Sequence, residues 1–337
     1  MPINTQRRNT MKSFNNKLAL TIALLCSSTV AYAIPFSSFD TRSMGMGGAG
    51  VAVATPDAAP LFNPALLSIS KESDKFSIIL PTVGVRVADP ENLRDSVDSF
   101  QNGNYLTTLN NAVTTFNNTP NPSNATAVAN AITQVNTQLN TLSNKPITAD
   151  GGVATVVALP GKKLGAAFYL NATAAAGGSF KYTDQTTLTN LSNDVATCGN
   201  TPNPALPACT NVQSFNTSKL TSGIEVKGVT LGEVGVSISH EFTISNQVVA
   251  LGITPKIVKA KLFDTVILVN SNNQSNFNNS NDTAEYSFVN FDLGAAKSYD
   301  NGWSSGVVIK NLLPQTLEFK RNLVLIGVSY AQTRQRR

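Results

Sequence analysis

Charged residues are scarce in this sequence. Of its 337 residues, 13% are charged and 42% are hydrophobic, which is not the charge-rich profile of a disordered chain. The formal net charge of +5 suggests a polyanionic partner, but residues 1–33 hold four basic residues and no acidic one. The rest of the chain carries 21 basic and 20 acidic residues. We therefore predict no nucleic-acid partner.

Side chains for catalysis and metal binding are also scarce. His240 is the one histidine, and it shares a face of an alternating segment with Val236 and Ile238. The carboxylates are scattered, and no His, Cys and Asp residues form a metal-site or triad pattern. The run Gly45, Gly47, Gly50 has the spacing of a dinucleotide loop, but no strand or βαβ pattern surrounds it. We predict a protein that is not an enzyme and has no cofactor.

Long apolar runs are confined to the N-terminus. Residues 18–30 form a mainly apolar run, Lys12 and Lys17 precede it, and Ala31-Tyr32-Ala33 follows. The run is shorter than the roughly 20 residues that span a bilayer as a helix, and its flanks are those of a signal peptide. We predict a Sec signal peptide over residues 1–33 of a Gram-negative protein, with cleavage after Ala33 and Met11 as the better start. A buried N-terminal helix is the alternative.

Cysteine is nearly absent. Cys26 lies inside the predicted signal peptide, which leaves Cys198 and Cys209 in the mature chain. In an exported protein, such a close pair predicts a disulfide that closes a small loop; two free thiols are the alternative.

Alternation of apolar and polar residues dominates the mature chain. Period-two patterns predict strands near 76–87, 151–159, 164–187, 217–242, 247–263, 284–298, 303–312 and 322–331. Tight turns at 160–163, 243–246 and 299–302 alternate with long connectors at 88–150, 188–216 and 264–283. Short turns on one side and long loops on the other are typical of an outer-membrane barrel, and Trp303 follows one tight turn, where an aromatic girdle would lie.

The first long connector carries a helical pattern. Val128, Ile132, Val135, Leu139 and Leu142 are spaced four, three, four and three residues apart. A shorter stripe, from Leu106 to Phe116, precedes them. We predict a helical hairpin over residues 100–144 whose stripes pack on each other or dock a partner.

A Gly-rich stretch follows the predicted cleavage site and includes Arg42, Gly45, Gly47, Gly48 and Gly50, and the motif Asn63-Pro64-Ala65 comes after it. These residues resemble the N-terminal region of the long-chain fatty-acid transporter (FadL-like) outer-membrane superfamily. In that superfamily, a Gly-rich stretch followed by an Asn-Pro-Ala motif forms a plug inside the barrel. The resemblance implies a plug over residues 34–70 and barrel strands over 71–330, with lumenal charges such as Arg86 and Lys256.

Three later blocks narrow the resemblance: 250–259, with Thr254-Pro255-Lys256, then 291–295 and 307–315. They are similar to blocks of the FadL-related branch of conjugal transfer TraF-like proteins, which is distinct from the thioredoxin-like TraF. The resemblance implies an all-β, antiparallel transmembrane barrel in the outer membrane. Its implied partners are outer-membrane lipids, a hydrophobic small molecule and proteins of the conjugation apparatus.

The C-terminal end departs from the family pattern. About eight strands are predicted where the fatty-acid transporters have fourteen, the tail 331–337 has no terminal aromatic residue, and the resemblance is expected to stop near Lys320. These features predict a C-terminally truncated barrel. Two functions therefore stand: a channel for hydrophobic compounds, or an envelope component of conjugation. A soluble secreted β-rich adhesin or structural envelope protein is the alternative.

Overall fold

Seven antiparallel strands in sequence order form one sheet in the computed structural model, which describes residues 41–69, 75–203, 205–244, 247–270 and 283–319. The strands are β1 (Ser77–Ala88), β2 (Pro146–Leu159), β3 (Gly165–Lys181), β4 (Gly223–Ile244), β5 (Gln247–Leu268), β6 (Thr283–Ser298) and β7 (Ser304–Ile309). The predicted signal peptide, the strand at 322–331 and the tail at 331–337 lie outside the described residues. The other seven predicted strands are confirmed.

The sheet curls into half of a barrel. Because the strands are antiparallel neighbours, the β1–β2, β3–β4 and β5–β6 connections leave from the same end, which we call the loop end. The β2–β3, β4–β5 and β6–β7 connections lie at the opposite, turn end. Among the described residues, no helix has the length and hydropathy that crossing a membrane requires.

Helices lie before the sheet and in two of the connections. Before β1 come α1 (Thr41–Gly45), α2 (Ala59–Phe62) and a 3-10 turn (Pro64–Leu67). Between β1 and β2 come α3 (Leu93–Asn102), α4 (Tyr105–Asn118) and α5 (Pro122–Leu142). Between β3 and β4 come α6 (Gln185–Asn200), α7 (Pro207–Ser214) and a second 3-10 turn (Thr217–Lys219).

The five helices α3 to α7 form a helical cap at the loop end, with its own hydrophobic core. Each longer helix turns its stripe inward, so that Leu109, Val128, Val135 and Leu139 are buried against Leu188 and Val195. Asn121 begins α5, because its side chain accepts a hydrogen bond from the backbone of Asn124 at 2.8 Å. A disulfide between Cys198 and Cys209 joins α6 to α7.

Two sequence predictions about the connections need correction. The hairpin predicted over 100–144 is a three-helix unit, because α3 starts earlier, at Leu93. The connector predicted at 188–216 is not a plain loop, since it contains most of α6 and all of α7.

The strands flanking that second connector are shorter than predicted. The buried carboxylate of Asp184 accepts hydrogen bonds from the backbone of Thr221 and Ser222 at 2.7–3.0 Å, which pulls the chain out of the ladder. As a result, β3 ends at Lys181 and β4 begins at Gly223.

Candidate functional site: the inner face of the sheet

The two faces of the sheet have opposite polarity. On the outer face, large apolar side chains are open to the surroundings: Val83, Val85, Phe168, Val234, Val236, Ile238, Ile257, Val289 and Val307 are 44–74% exposed. On the inner face, Ser237, Ser239, Thr254, Lys256, Asn290 and Asp292 are at most 3% exposed. A sheet in a water-soluble domain turns its apolar face to the core, so this arrangement is inverted.

The N-terminal segment, residues 41–69, covers the inner face near the turn end. Asn63 fastens it to the sheet, since its side-chain amide donates to Ala295 O at 3.1 Å, to Val307 O at 3.4 Å and to Val51 O at 2.9 Å. Its side-chain oxygen accepts from Ala65 N at 3.1 Å, which shapes the turn into Pro64. One buried amide therefore joins two strands and two parts of the segment.

Glycines on the inner face make room for this segment. A Cβ atom added at Gly252 would overlap the backbone of Pro64 and Ala65, one at Gly294 would overlap the Asn63 side chain, and one at Gly306 would overlap the backbone of Val51. A Cβ atom added at Gly165 would overlap the Ser239 hydroxyl and Leu67 of the segment. Each of four strands thus has a glycine where it contacts the N-terminal segment. The missing side chain lets the backbone of the segment approach the backbone of the strand closely.

An ion cluster lies on the inner face beside the segment. The Lys256 ammonium is 2.8 Å from Glu233 Oε1 and 3.0 Å from Asp292 Oδ1, and the Lys256 and Asp292 side chains are fully buried. Lys310 Nζ lies 3.7 Å from Asp292 Oδ2, and Asn171 donates to Glu233 Oε2 at 3.2 Å. Two cations and two carboxylates make this ion cluster neutral.

The local sequence explains how Lys256 comes to lie there. Pro255 has no amide hydrogen, and the β4–β5 ladder is interrupted between the pairs Gly235–Lys256 and Ile238–Ile253. A hydroxyl–hydroxyl bond of 2.7 Å between Ser237 and Thr254 spans the interruption. The side chain after the proline then points inward, where Gly235 leaves room for the buried ring of Tyr169.

A trough of about 910 Å³ lies between the ion cluster and the loop end. One row of paired residues crosses six strands along it: Gly84, Gly152, Thr173, Leu231, Ala260 and Tyr286. Most of these side chains are small or apolar, so the lining of the trough is mainly apolar. Nearer the loop end, Arg86 pairs with Asp150 at 2.9 Å, with the Arg86 side chain 64% exposed.

The predicted plug residues divide into two groups. Gly50, Asn63, Pro64 and Ala65 are buried, and the last three lie against the sheet. Arg42, Gly45, Gly47 and Gly48 are exposed, and added Cβ atoms at these glycines would meet nothing within 4 Å. Gly47 and Gly48 adopt φ of +70° and +87°, so they serve the turn after α1 rather than a close contact.

Sequence reasoning missed most of the residues that receive the segment. The inner-face glycines were not identified, and neither were Lys310, which donates to Leu61 O at 2.8 Å, or Ser239, whose hydroxyl is 2.6 Å from that of Ser68. Glycine at inward positions of otherwise regular strands was the available signal, since it marks close backbone approach.

His240 lies on the outer face, where its ring packs 4.7 Å from that of Phe242. Within the described parts of the chain, no group of three or more His, Cys, Asp or Glu residues could hold a metal ion.

Taken together, the fold and the inner face define a half-barrel sheet with an apolar exterior, a charged interior and an N-terminal segment seated inside it. The chain matches the family model described as "F plasmid transfer operon, TraF, protein" over residues 60–336. It therefore belongs to this family, which supports a conjugation-related role in the cell envelope. No match was found among curated proteins or among solved structures.

The extent of the match corrects one expectation. It continues past Lys320, so the predicted end of the resemblance at that residue is wrong. The Asn63-Pro64-Ala65 motif and the later blocks fall inside the matched range, whereas the Gly-rich stretch at 45–50 precedes it. The relation to the fatty-acid transporters stays a prediction.

Proposed function

We propose that this chain is a conjugation-related barrel protein of the outer membrane, whose N-terminal segment serves as a plug. The observation that carries the proposal is the inverted polarity of the sheet. In lipid, an apolar exterior is stable and a polar interior is sheltered, whereas in water this exterior would be a large aggregation-prone patch.

The dimensions of the apolar surface support this placement. On β4, outward side chains are mainly apolar from Val234 to Phe242, a stretch of nine residues. A barrel strand crosses the bilayer in about 9–11 residues. Beyond this band lie Lys259 at the loop end and, at the turn end, Trp303, which is 73% exposed. Interfacial positions favour both residue types.

Fractionation of cells that express the full chain tests the proposal. We expect the protein in the outer-membrane fraction, with a gel mobility that changes on boiling, because closed barrels resist unfolding by detergent. Recovery from the soluble periplasmic fraction or the medium, without a heat-dependent shift, would favour the secreted adhesin instead.

We further infer that the trough receives hydrophobic compounds and that the plug separates it from the turn end. The support is its position between the plug and the loop end, and the row of small and apolar residues that lines it. Mass spectrometry of gently solubilised protein should detect a bound apolar molecule. The substitution Gly152→Leu, which adds bulk to the row, should reduce that occupancy, while Gln134→Leu on the helical cap should leave it unchanged.

A second candidate function is the binding of another conjugation protein by the helical cap. The family assignment favours it, and so does the existence of a cap with its own core and disulfide at the loop end. A strain without the gene should lose conjugation. Restoring a copy in which a short linker replaces residues 93–142 should leave membrane insertion intact and fail to restore transfer.

A further inference from the structure

The part of the inner face that the plug covers includes the ion cluster. One side chain of this cluster, Lys310, also contacts the plug. Lys310 Nζ donates to Leu61 O at 2.8 Å and lies 3.7 Å from Asp292 Oδ2. Asp292 also accepts from Asn311 N at 2.8 Å and pairs with Lys256. A continuous chain of polar contacts therefore runs from the plug backbone to Glu233, next to the trough.

Seating the plug on this cluster has opposing energetic effects. Burial removes water from two ammonium groups and two carboxylates, and the desolvation of buried ions offsets much of their mutual attraction. If apolar side chains of the same shape lay under the plug, this desolvation cost would be absent. The Lys310 contact acts in the opposite direction, since it satisfies the Leu61 carbonyl with a charged donor.

We propose that the ion cluster makes the plug releasable, and that the Lys310–Leu61 contact is the latch that sets how long the plug stays seated. The proposal rests on the plug function above and deepens it by naming the residues that control release. It predicts opposite effects for two kinds of change. Removing the latch makes release of the plug faster. Replacing a neutral ion pair of the ion cluster by apolar residues makes release slower.

The rate of cysteine labelling measures release directly. Ser68→Cys places a nearly isosteric thiol at a fully buried plug position. The native Cys198 and Cys209 are joined in a disulfide, and Cys26 lies in the predicted signal peptide, so the mature protein carries the reporter as its free thiol. In detergent-solubilised protein carrying this reporter, Lys310→Met should raise the maleimide labelling rate roughly tenfold or more. The Leu61 carbonyl loses its charged partner, and Asp292 loses one of its two cations. Lys310→Arg, which keeps a donor, should remain near the parent rate.

The matched control is Lys297→Met. Lys297 is on the neighbouring strand and lies over the ring of Tyr299 at 4.4 Å, away from the plug. Its substitution should leave labelling unchanged.

The double substitution Lys256→Met with Glu233→Leu provides the test of opposite sign. It removes one cation and one carboxylate and leaves Asp292 with Lys310. We expect labelling at least threefold slower than in the parent, a result that general damage to the fold would not give. Equal labelling in Lys310→Met and the parent would overturn the latch, and faster labelling in the double variant would overturn the claim that the ion cluster makes the plug releasable. If Lys310→Met fails to fold, Lys310→Gln takes its place, and equal labelling in this variant and the parent would overturn the latch. Because the assay uses purified protein, its result is independent of the fractionation that tests the proposed function.

Discussion

The helical cap and the sheet differ in which side chains they bury and which they expose. The cap buries leucine, valine and phenylalanine and exposes uncharged polar side chains, and residues 99–144 contain no charged residue at all. The sheet exposes valine, isoleucine and phenylalanine and buries lysine, glutamate and aspartate. The cap thus has the polarity of a water-soluble domain and the sheet has the reverse polarity. Under the proposed function, the boundary between water and lipid lies near the loop end of the strands.

The strongest disruption should come from unbalancing the ion cluster. Lys256→Met leaves Glu233 and Asp292 with one cation, and breaking a buried ion pair costs about 3–5 kcal/mol. Thermal unfolding followed by the β-sheet circular dichroism signal should show this loss. A stability equal to that of the parent would mean that the interior is hydrated rather than sheltered.

A charge on the outer face should be the next most disruptive change. Val236 is 45% exposed, so in a water-soluble protein an arginine there would be tolerated. In a bilayer, we expect Val236→Arg to cost about 2–4 kcal/mol and to reduce the heat-modifiable form in lipid. Gln134→Arg, at an exposed position of α5, is the matched control and should assemble normally. Equal assembly of both variants would contradict the comparison.

Loss of the disulfide should affect the cap alone. Cys198→Ser frees a short loop, and we expect a loss of about 2–3 kcal/mol in the local stability of α6 and α7. Hydrogen exchange should show faster opening of these helices and unchanged protection in β4 and β5. A matching loss of protection in the strands would show that the cap and the sheet unfold together.

The smallest of these effects should come from a single methyl group where the N-terminal segment contacts the sheet. Gly294→Ala would push against the Asn63 side chain, and overpacking of this kind costs about 1–3 kcal/mol. Gly232→Ala is the control, because its added Cβ would come no closer than 4.0 Å to a neighbour. Protease cleavage of the N-terminal segment should increase in the first variant only. Equal cleavage in both variants would show that the inner-face glycines do not help to hold the N-terminal segment against the sheet.

Local patterns in the sequence predicted much of the fold. Alternation of apolar and polar residues located seven strands, because side chains of a half-exposed strand alternate between its two faces. The turn at 299–302 was predicted from the turn-forming residues Asp300-Asn301-Gly302. The second helical insertion was missed even though Leu188, Leu191, Val195 and Cys198 follow a helical spacing. Pro202, Pro204 and the abundant Asn there suggested a loop instead.

The site was harder to predict, because its residues meet only after the strands pair. Lys310, Asp292 and Leu61 are distant in sequence, and nothing in the sequence near Leu61 indicates that a lysine will bond its carbonyl. The polarity of the two faces was also ambiguous, since alternation does not tell which side is buried. Register and curl decide that question, and both are properties of the whole sheet.

Direct measurement of what surrounds the outer face tests the central claim. Spin labels at Val236 and at Gln134, in protein reconstituted into lipid vesicles, should report different collision rates with oxygen and with a polar nickel complex. The account predicts that the label at 236 meets oxygen readily and the nickel complex rarely, with the reverse at 134. High nickel accessibility at both positions would place the outer face in water and contradict the account.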